Sequence, residues 1–205
     1  MTPAGPALAE RFWQAGAVTV SAGPITLKSG RVSHVYVSLR HFVCNPGNLK
    51  ALGDVFGTWL GERRLVLGSV SSLLSPVLCG AFAARFGLPL ALFRPDASEK
   101  GLAGQVFGGE AGRPVVLLDD VLTSGGTALA AAKAFAGQGL GEVSLYVFVD
   151  KRPTGVRAEF TLPVAALLTL TELLGHGLAA GHIAGPAVAW AEEELAFLEG
   201  SRRTT

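Results

Sequence analysis

The stretch Pro114-Val-Val-Leu-Leu-Asp-Asp-Val-Leu-Thr-Ser-Gly-Gly-Thr127, running into Ala128-Leu-Ala-Ala-Ala-Lys-Ala-Phe135, constrains the fold more than any other part of the chain. Residues 114–118 are apolar and bounded, which reads as a buried parallel strand. Asp119 and Asp120 fall where that strand should end. Thr123, Ser124, Gly125, Gly126 and Thr127 then make a small, hydroxyl-rich turn, and residues 128–135 are strong helix formers. A strand, a Gly/Thr turn and a helix N-terminus together form an anion site. The turn offers backbone N–H groups, the helix end adds partial positive charge, and glycine lets a phosphate approach closely. Two carboxylates beside that cradle must face something other than the anion. Sugar hydroxyls or a phosphate-bound Mg2+ suit them. The ligand implied is a sugar phosphate. A plain strand-to-helix connection with a Thr or Ser cap is the alternative. Neither a Walker A loop nor a Gly-x-Gly-x-x-Gly fingerprint is present in this stretch.

The rest of the chain fits an α/β protein. Helical patterns at residues 6–15, 47–63, 72–86 and 187–199 alternate with apolar strands at 65–70, 88–93, 143–149 and 164–168, the last running into a helix. This order predicts a mostly parallel sheet flanked by helices. Short strands at 18–20, 25–27 and 34–39 precede it, with Lys28 and Arg31 flanking a turn that reads as solvated. Residues 94–105 are polar and glycine-dotted, as in a mobile surface loop. In the C-terminal helix, Val188, Leu195 and Leu198 form the packing face and Glu192, Glu193 and Glu194 are expected outward. Trp13, Trp59 and Trp190 fall on apolar helix faces and read as core.

Composition narrows the function classes. Hydrophobic residues make up 49% and charged residues 16% of 205, which excludes disorder, and a net charge of +1 without a basic patch argues against nucleic acid. Cys44 and Cys79 are the only cysteines, without metal or redox spacing, and read as buried inert thiols in a reducing cytoplasm. No apolar run approaches the ~18 residues of a membrane span. Glu10 and Arg11 interrupt the first apolar region, unlike a signal peptide. The histidines, His34, His41, His176 and His182, show no ligand spacing, and His176 and His182 read as structural or exposed.

Residues 116–127 resemble the signature that binds 5-phosphoribosyl-1-pyrophosphate (PRPP) in type I phosphoribosyltransferases. Thr26-Leu-Lys-Ser-Gly-Arg-Val-Ser33, followed by an aromatic strand, is similar to the N-terminal hood of the orotate phosphoribosyltransferases, and Leu168-Thr-Leu-Thr-Glu-Leu-Leu174 also resembles that family. The resemblance implies one domain over residues 1–205: a hood at 1–45, an α/β core at 46–175 with a catalytic loop at 94–105, and a C-terminal helix and tail at 176–205. It implies Mg2+-dependent transfer of phosphoribose from PRPP to a base, most simply orotate, in pyrimidine biosynthesis, by a cytoplasmic homodimer whose loop closes over the neighbouring site. Asp119 and Asp120 would hold the ribose, and residues 123–127 the 5-phosphate. Arg94 and Lys100 would reach pyrophosphate, and Lys28 and Lys151 would face the base.

The pattern departs from the family at charged positions. The family loop commonly reads Arg-Lys, two residues, Lys, one residue, His-Gly; here Arg94 remains, while Pro95, Ser98 and Lys100 replace the lysines and the histidine. Ser72 and Leu73 stand where a Lys-Gly pair is usual, and Lys151 replaces an arginine. Each cation facing a departing pyrophosphate is worth ~3 kcal/mol, so the expected rate falls by orders of magnitude. Transfer to another acceptor, or a catalytically weak PRPP-binding regulatory protein, are the alternatives.

Overall fold

The computed structural model describes residues 5–26, 30–95 and 105–200. The chain opens with helix α1 (Gly5–Gln14) and a two-stranded antiparallel hairpin, β1 (Val18–Thr26) and β2 (Val32–Val37), whose register slips between Val20 and Ile25. A short helix α2 (Arg40–Val43) and α3 (Pro46–Leu60) follow. Asn45 starts α3: its side chain accepts from Gly47 N at 2.9 Å and Asn48 N at 3.2 Å, and Pro46 supplies a preset first turn.

The core alternates strand and helix: β3 (Val66–Ser69), α4 (Ser75–Phe86), β4 (Leu90–Phe93), β5 (Val106–Gly108), β6 (Val115–Leu122), α5 (Gly126–Ala136), β7 (Val143–Asp150), α6 (Thr154–Glu159), β8 (Val164–Thr169), then α7 (Leu170–Ala179) and α8 (Ala187–Leu198). The sheet order is β5-β4-β3-β6-β7-β8. All neighbours run parallel except β5, which returns antiparallel on β4. The expected mostly parallel sheet is therefore present. β5 is too short to show periodicity, and α6 follows Pro153 with a mainly polar face, so neither was legible in the pattern.

Both faces of the sheet are covered. On β6, Val116 and Leu118 join one core with α1, the hairpin, α3, α4, α7 and α8, while Val115 and Leu117 join a second core with Ala128, Ala131 and Phe135 of α5. The two-residue alternation of strand side chains feeds both layers, which is why residues 114–118 are apolar without a break.

Sheet order reverses between β3 and β6: β3 continues outward to β4, and β6 to β7. Crevices at such a reversal, outside the carboxyl ends of the strands, are where parallel α/β sheets place ligands. None of the described helices is long and apolar enough to cross a membrane.

One expectation at the C-terminus is corrected. Glu194 on α8 points inward, 4% exposed, and its carboxylate takes both Arg31 guanidinium branches and the Ser33 hydroxyl. Arg31 is thus held by α8 instead of lying in a solvated turn, and α8 packs against β1 and β2. A buried carboxylate needs that full set of donors to offset its lost hydration.

Candidate active site

Strand β6 carries the acidic pair to the reversal point. The strand does not stop at the acids, as the sequence suggested. It continues through them to Leu122, with Val121 opposite Val149 and Leu122 opposite Asp150. The ladder to β7 thereby fixes the backbone beneath both carboxylates. Asp119 is 8% exposed; its Oδ1 accepts from Ser72 Oγ at 2.9 Å and from Asp120 N at 3.0 Å. Burial, and then the charge of Asp120, push its pKa up from 3.8 to about 7, with the Ser72 bond opposing. Asp120 is raised too, mainly by burial, and the charge of Arg40 on α2 pulls against the rise. The pair is poised for a cation or for hydroxyl donors, either of which lowers the cost of full ionisation.

The turn after β6 presents groups that could hold an anion. Thr123, Ser124, Gly126 and Thr127 are exposed, while Gly125 is buried with φ +77° and acts as the N-cap of α5. No side chain caps this helix, so the Thr or Ser cap of the plain connection is not formed. The first-turn amides of α5 face the turn with the dipole behind them. Gly125 is required twice over: its backbone is left-handed, and a Cβ there would lie 2.4 Å from Phe160 Cε2.

Phe160 is placed by a group that sequence reasoning missed. Arg152, buried at the end of β7, makes a two-pronged pair with Asp150, Nε to Oδ1 at 3.0 Å and Nη2 to Oδ2 at 2.9 Å. Its guanidinium carbon lies 4.5 Å from the Phe160 ring centroid. Arg157 adds a bond to Arg152 O at 2.9 Å. The run Asp150-Lys151-Arg152 was visible, but nothing in it marked the arginine as the buried structural member.

Lys151 lies beside the acids' strand, its N–H donating to Leu122 O at 2.9 Å. Burial lowers its pKa, the charge of Glu194 raises it and that of Arg31 lowers it. The charges of Arg31 and of Glu194 on α8 thus both act on this lysine. Arg94 follows β4 at the base of the expected loop. Arg94 N donates to Gln105 O at 2.8 Å, and Gln105 Nε2 to Pro95 O at 3.0 Å, so residues 94–95 and 105 lie side by side. The Arg94 guanidinium lies 5.2 Å from the Phe107 ring centroid. Lys28, Ser98 and Lys100 lie outside the described residues.

One further expectation changes. Cys79 is buried, and its thiol is pushed up to about 12 by burial, which fits an inert thiol. Cys44 is exposed, against expectation. His176 and His182, unremarkable in sequence, converge on Glu10.

Comparison with known proteins agrees with this geometry. Residues 75–161 match the phosphoribosyl transferase domain. The chain is 33% identical over 171 residues to an orotate phosphoribosyltransferase of Methanopyrus kandleri, covering 82% of this chain and 91% of that protein. The crystal structure of orotate phosphoribosyltransferase from Aeropyrum pernix matches with a TM-score of 0.70 at 25% identity, over 85% of this chain and 99% of that one. Leishmania donovani UMP synthase shares the fold, with a TM-score of 0.78 at 23% identity; 94% of this chain is covered, and it spans 42% of that longer protein. With an acidic pair and an uncapped helix end at the sheet reversal, and with these relatives, the chain belongs to the phosphoribosyltransferase family, in its orotate phosphoribosyltransferase branch.

Proposed function

We propose that the protein transfers the 5-phosphoribosyl group of PRPP to orotate, forming orotidine 5-phosphate and pyrophosphate in pyrimidine biosynthesis. The observation that carries this is the placement of Asp119 and Asp120 near the end of β6, the strand that leads through a short turn into the N-terminus of α5, which no side chain caps. The α5 amides and the hydroxyls of Thr123, Ser124 and Thr127 hold the 5-phosphate. The carboxylates accept from the ribose hydroxyls and hold C1 in the crevice. A ring nitrogen of the base bonds to C1 as the C1–O bond to pyrophosphate breaks, through an oxocarbenium-like transition state, and the proton of that ring N–H leaves to solvent. Lys151 faces the base carboxylate and Arg94 the leaving pyrophosphate; by resemblance, Lys28 would join the first and Lys100 the second.

The donor set fits Mg2+: a buried and a half-buried carboxylate whose ionisation is resisted favour a hard cation with oxygen ligands. Asp119 and Asp120 would hold that ion, which would supply charge neutralisation to the pyrophosphate. A homodimer is part of the same reading. Leu73, before α4, and Val77, in its first turn, are 71% and 52% exposed beside the crevice, an apolar patch that a second copy would cover. Free thiols at Cys44 and Cys79 suit a cytoplasmic setting.

Orotate consumption followed by absorbance with PRPP and Mg2+, alongside PRPP calorimetry, tests the proposal. Turnover supports it. The hydroxyl of Ser72 at a position where the resembled family carries lysine favours a second reading, a catalytically weak PRPP binder or an enzyme for another acceptor. Tight PRPP binding without orotate turnover would favour that reading, and absence of PRPP binding would overturn both.

A further inference from the structure

Glu10 on α1 meets two histidines from the far end of the chain, His176 in the last turn of α7 and His182 just beyond it. Both imidazole Nε2 atoms lie 2.9 Å from the same carboxylate oxygen, Oε2. The three donor atoms all lie within 4.8 Å of one another. The other carboxylate oxygen accepts from Gln14 Nε2 at 2.8 Å. The His182 ring stacks on Trp13 with centroids 5.7 Å apart and planes at 4°. Trp13 is itself fixed, donating from Nε1 to Leu173 O at 3.0 Å and filling the space over Gly177, where a Cβ would lie 2.4 Å from Trp13 Cζ2. The orientation of the His182 ring is thus set from behind. The helices that bear it, α1 and α7, carry none of the acidic pair or the phosphate turn.

Two imidazoles and one carboxylate are the protein ligands of many mononuclear zinc centres, which leave a fourth position for water. Zn–N and Zn–O bonds of about 2.0–2.2 Å with tetrahedral angles place donors roughly 3.3–3.5 Å apart. The two 2.9 Å contacts need to open by a few tenths of an ångström, and the two histidine nitrogens, up to 4.8 Å apart, need to close to the same range. Each histidine side chain keeps 25% of its surface exposed and Glu10 keeps 34%, so the cation has an entry path and the open position has solvent. Gln14, on the second carboxylate oxygen, is the kind of outer partner that orients a metal-bound carboxylate. We propose that Glu10, His176 and His182 form a binding site for a divalent first-row transition cation of the Zn2+ type, which ties the N-terminal helix to α7.

The test uses the full chain, tag-free and stripped of metal, in a Cys44→Ser background that removes the exposed thiol. Zn2+ titration by calorimetry should give one equivalent bound. The melting temperature should rise by about 5 °C or more at a Zn2+ concentration roughly a hundredfold above Kd, and a chelator should reverse it. Co2+ should show the intense visible bands of a four- or five-coordinate site. His182→Ala, close to the surface, should weaken Zn2+ binding at least tenfold and abolish the Co2+ bands, and His176→Ala should do the same. Binding that survives His182→Ala belongs elsewhere, the acidic pair included, and overturns the site. So does the absence of stoichiometric binding in the parent protein.

Discussion

Ser72 Oγ donates a 2.9 Å hydrogen bond to Asp119 Oδ1, spanning the junction where β3 and β6 lie side by side. The same hydroxyl accepts from Ser75 N at 3.2 Å at the start of α4. A single neutral side chain therefore joins the turn after β3 to the acidic pair. A neutral donor leaves the pair's negative charge largely uncompensated, which is why burial and mutual repulsion prevail at Asp119.

Ser72→Lys places a cation where the resembled family has one. It should raise kcat for phosphoribosyl transfer about tenfold or more, since one donor facing developing charge is worth ~3 kcal/mol. Ser72→Ala should cost about 1 kcal/mol of stability, by denaturant melts, for the lost bond to a buried carboxylate. A lysine variant no faster than the parent would show that the turn after β3 does not face pyrophosphate.

The acidic pair sets a pH dependence with a definite sign. The Asp119 carboxyl is raised from 3.8 to about 7, so between about pH 4 and 7 the native state holds more protons than the unfolded chain. Stability of the ligand-free protein should therefore fall as pH rises through that window, which denaturant melts at several pH values would read. Mg2+ and PRPP favour the ionised pair, so their binding should release protons at pH 6.5. Calorimetry in two buffers of different ionisation enthalpy measures this. Proton uptake instead would contradict the assignment of the ribose to these acids.

The layered α/β order and the acid-turn-helix site were legible because each rests on local pattern: continuous apolar strands, a Gly/Thr turn, an Ala-rich helix. The strand's continuation past Asp119 and Asp120 was not, because pairing of Val121 and Leu122 with β7 overrides the polar interruption. Glu194 looked outward beside Glu192 and Glu193, and only its meeting with Arg31, 163 residues away, makes it a core group. Glu10, His176 and His182 fail the test of spacing for the same reason: their proximity is a property of the packing of α1 on α7. Long-range polar contacts leave little periodicity in a sequence, whereas apolar layers leave much.

Glu194→Ala tests how the hood is held. The carboxylate takes Arg31 Nη1 at 2.9 Å and Nη2 at 2.5 Å, plus Ser33 Oγ at 2.9 Å. Arg31 retains a route to solvent, with 27% of its side chain exposed, so the loss falls below that of a fully buried pair. About 2 kcal/mol is expected, a fall of roughly 4–8 °C in melting temperature. Glu194 also raises the pKa of Lys151 against burial and Arg31. Its removal should therefore favour neutral Lys151 and raise KM for the acceptor more than KM for PRPP. Equal changes in the two would place Lys151 away from the base.

Gly125→Ala separates backbone strain from crowding in the phosphate turn. The position needs φ +77°, and an added Cβ would lie 2.4 Å from Phe160 Cε2 and 2.6 Å from Phe160 Cζ. A left-handed alanine costs about 1–2 kcal/mol before any clash. The clash must be relieved by moving either the ring or the turn, and the ring is backed by Arg152 at 4.5 Å. The turn should move. PRPP affinity in calorimetry is expected to fall about a hundredfold or more, because first-turn amides displaced by even an ångström lose the phosphate. Adding Phe160→Ala opens the space but leaves the backbone penalty. The double variant should recover part of the lost affinity, about tenfold, and no more. Full recovery would mean that the left-handed backbone at Gly125 is immaterial to the cradle. No recovery would mean that Phe160 does not bear on the turn.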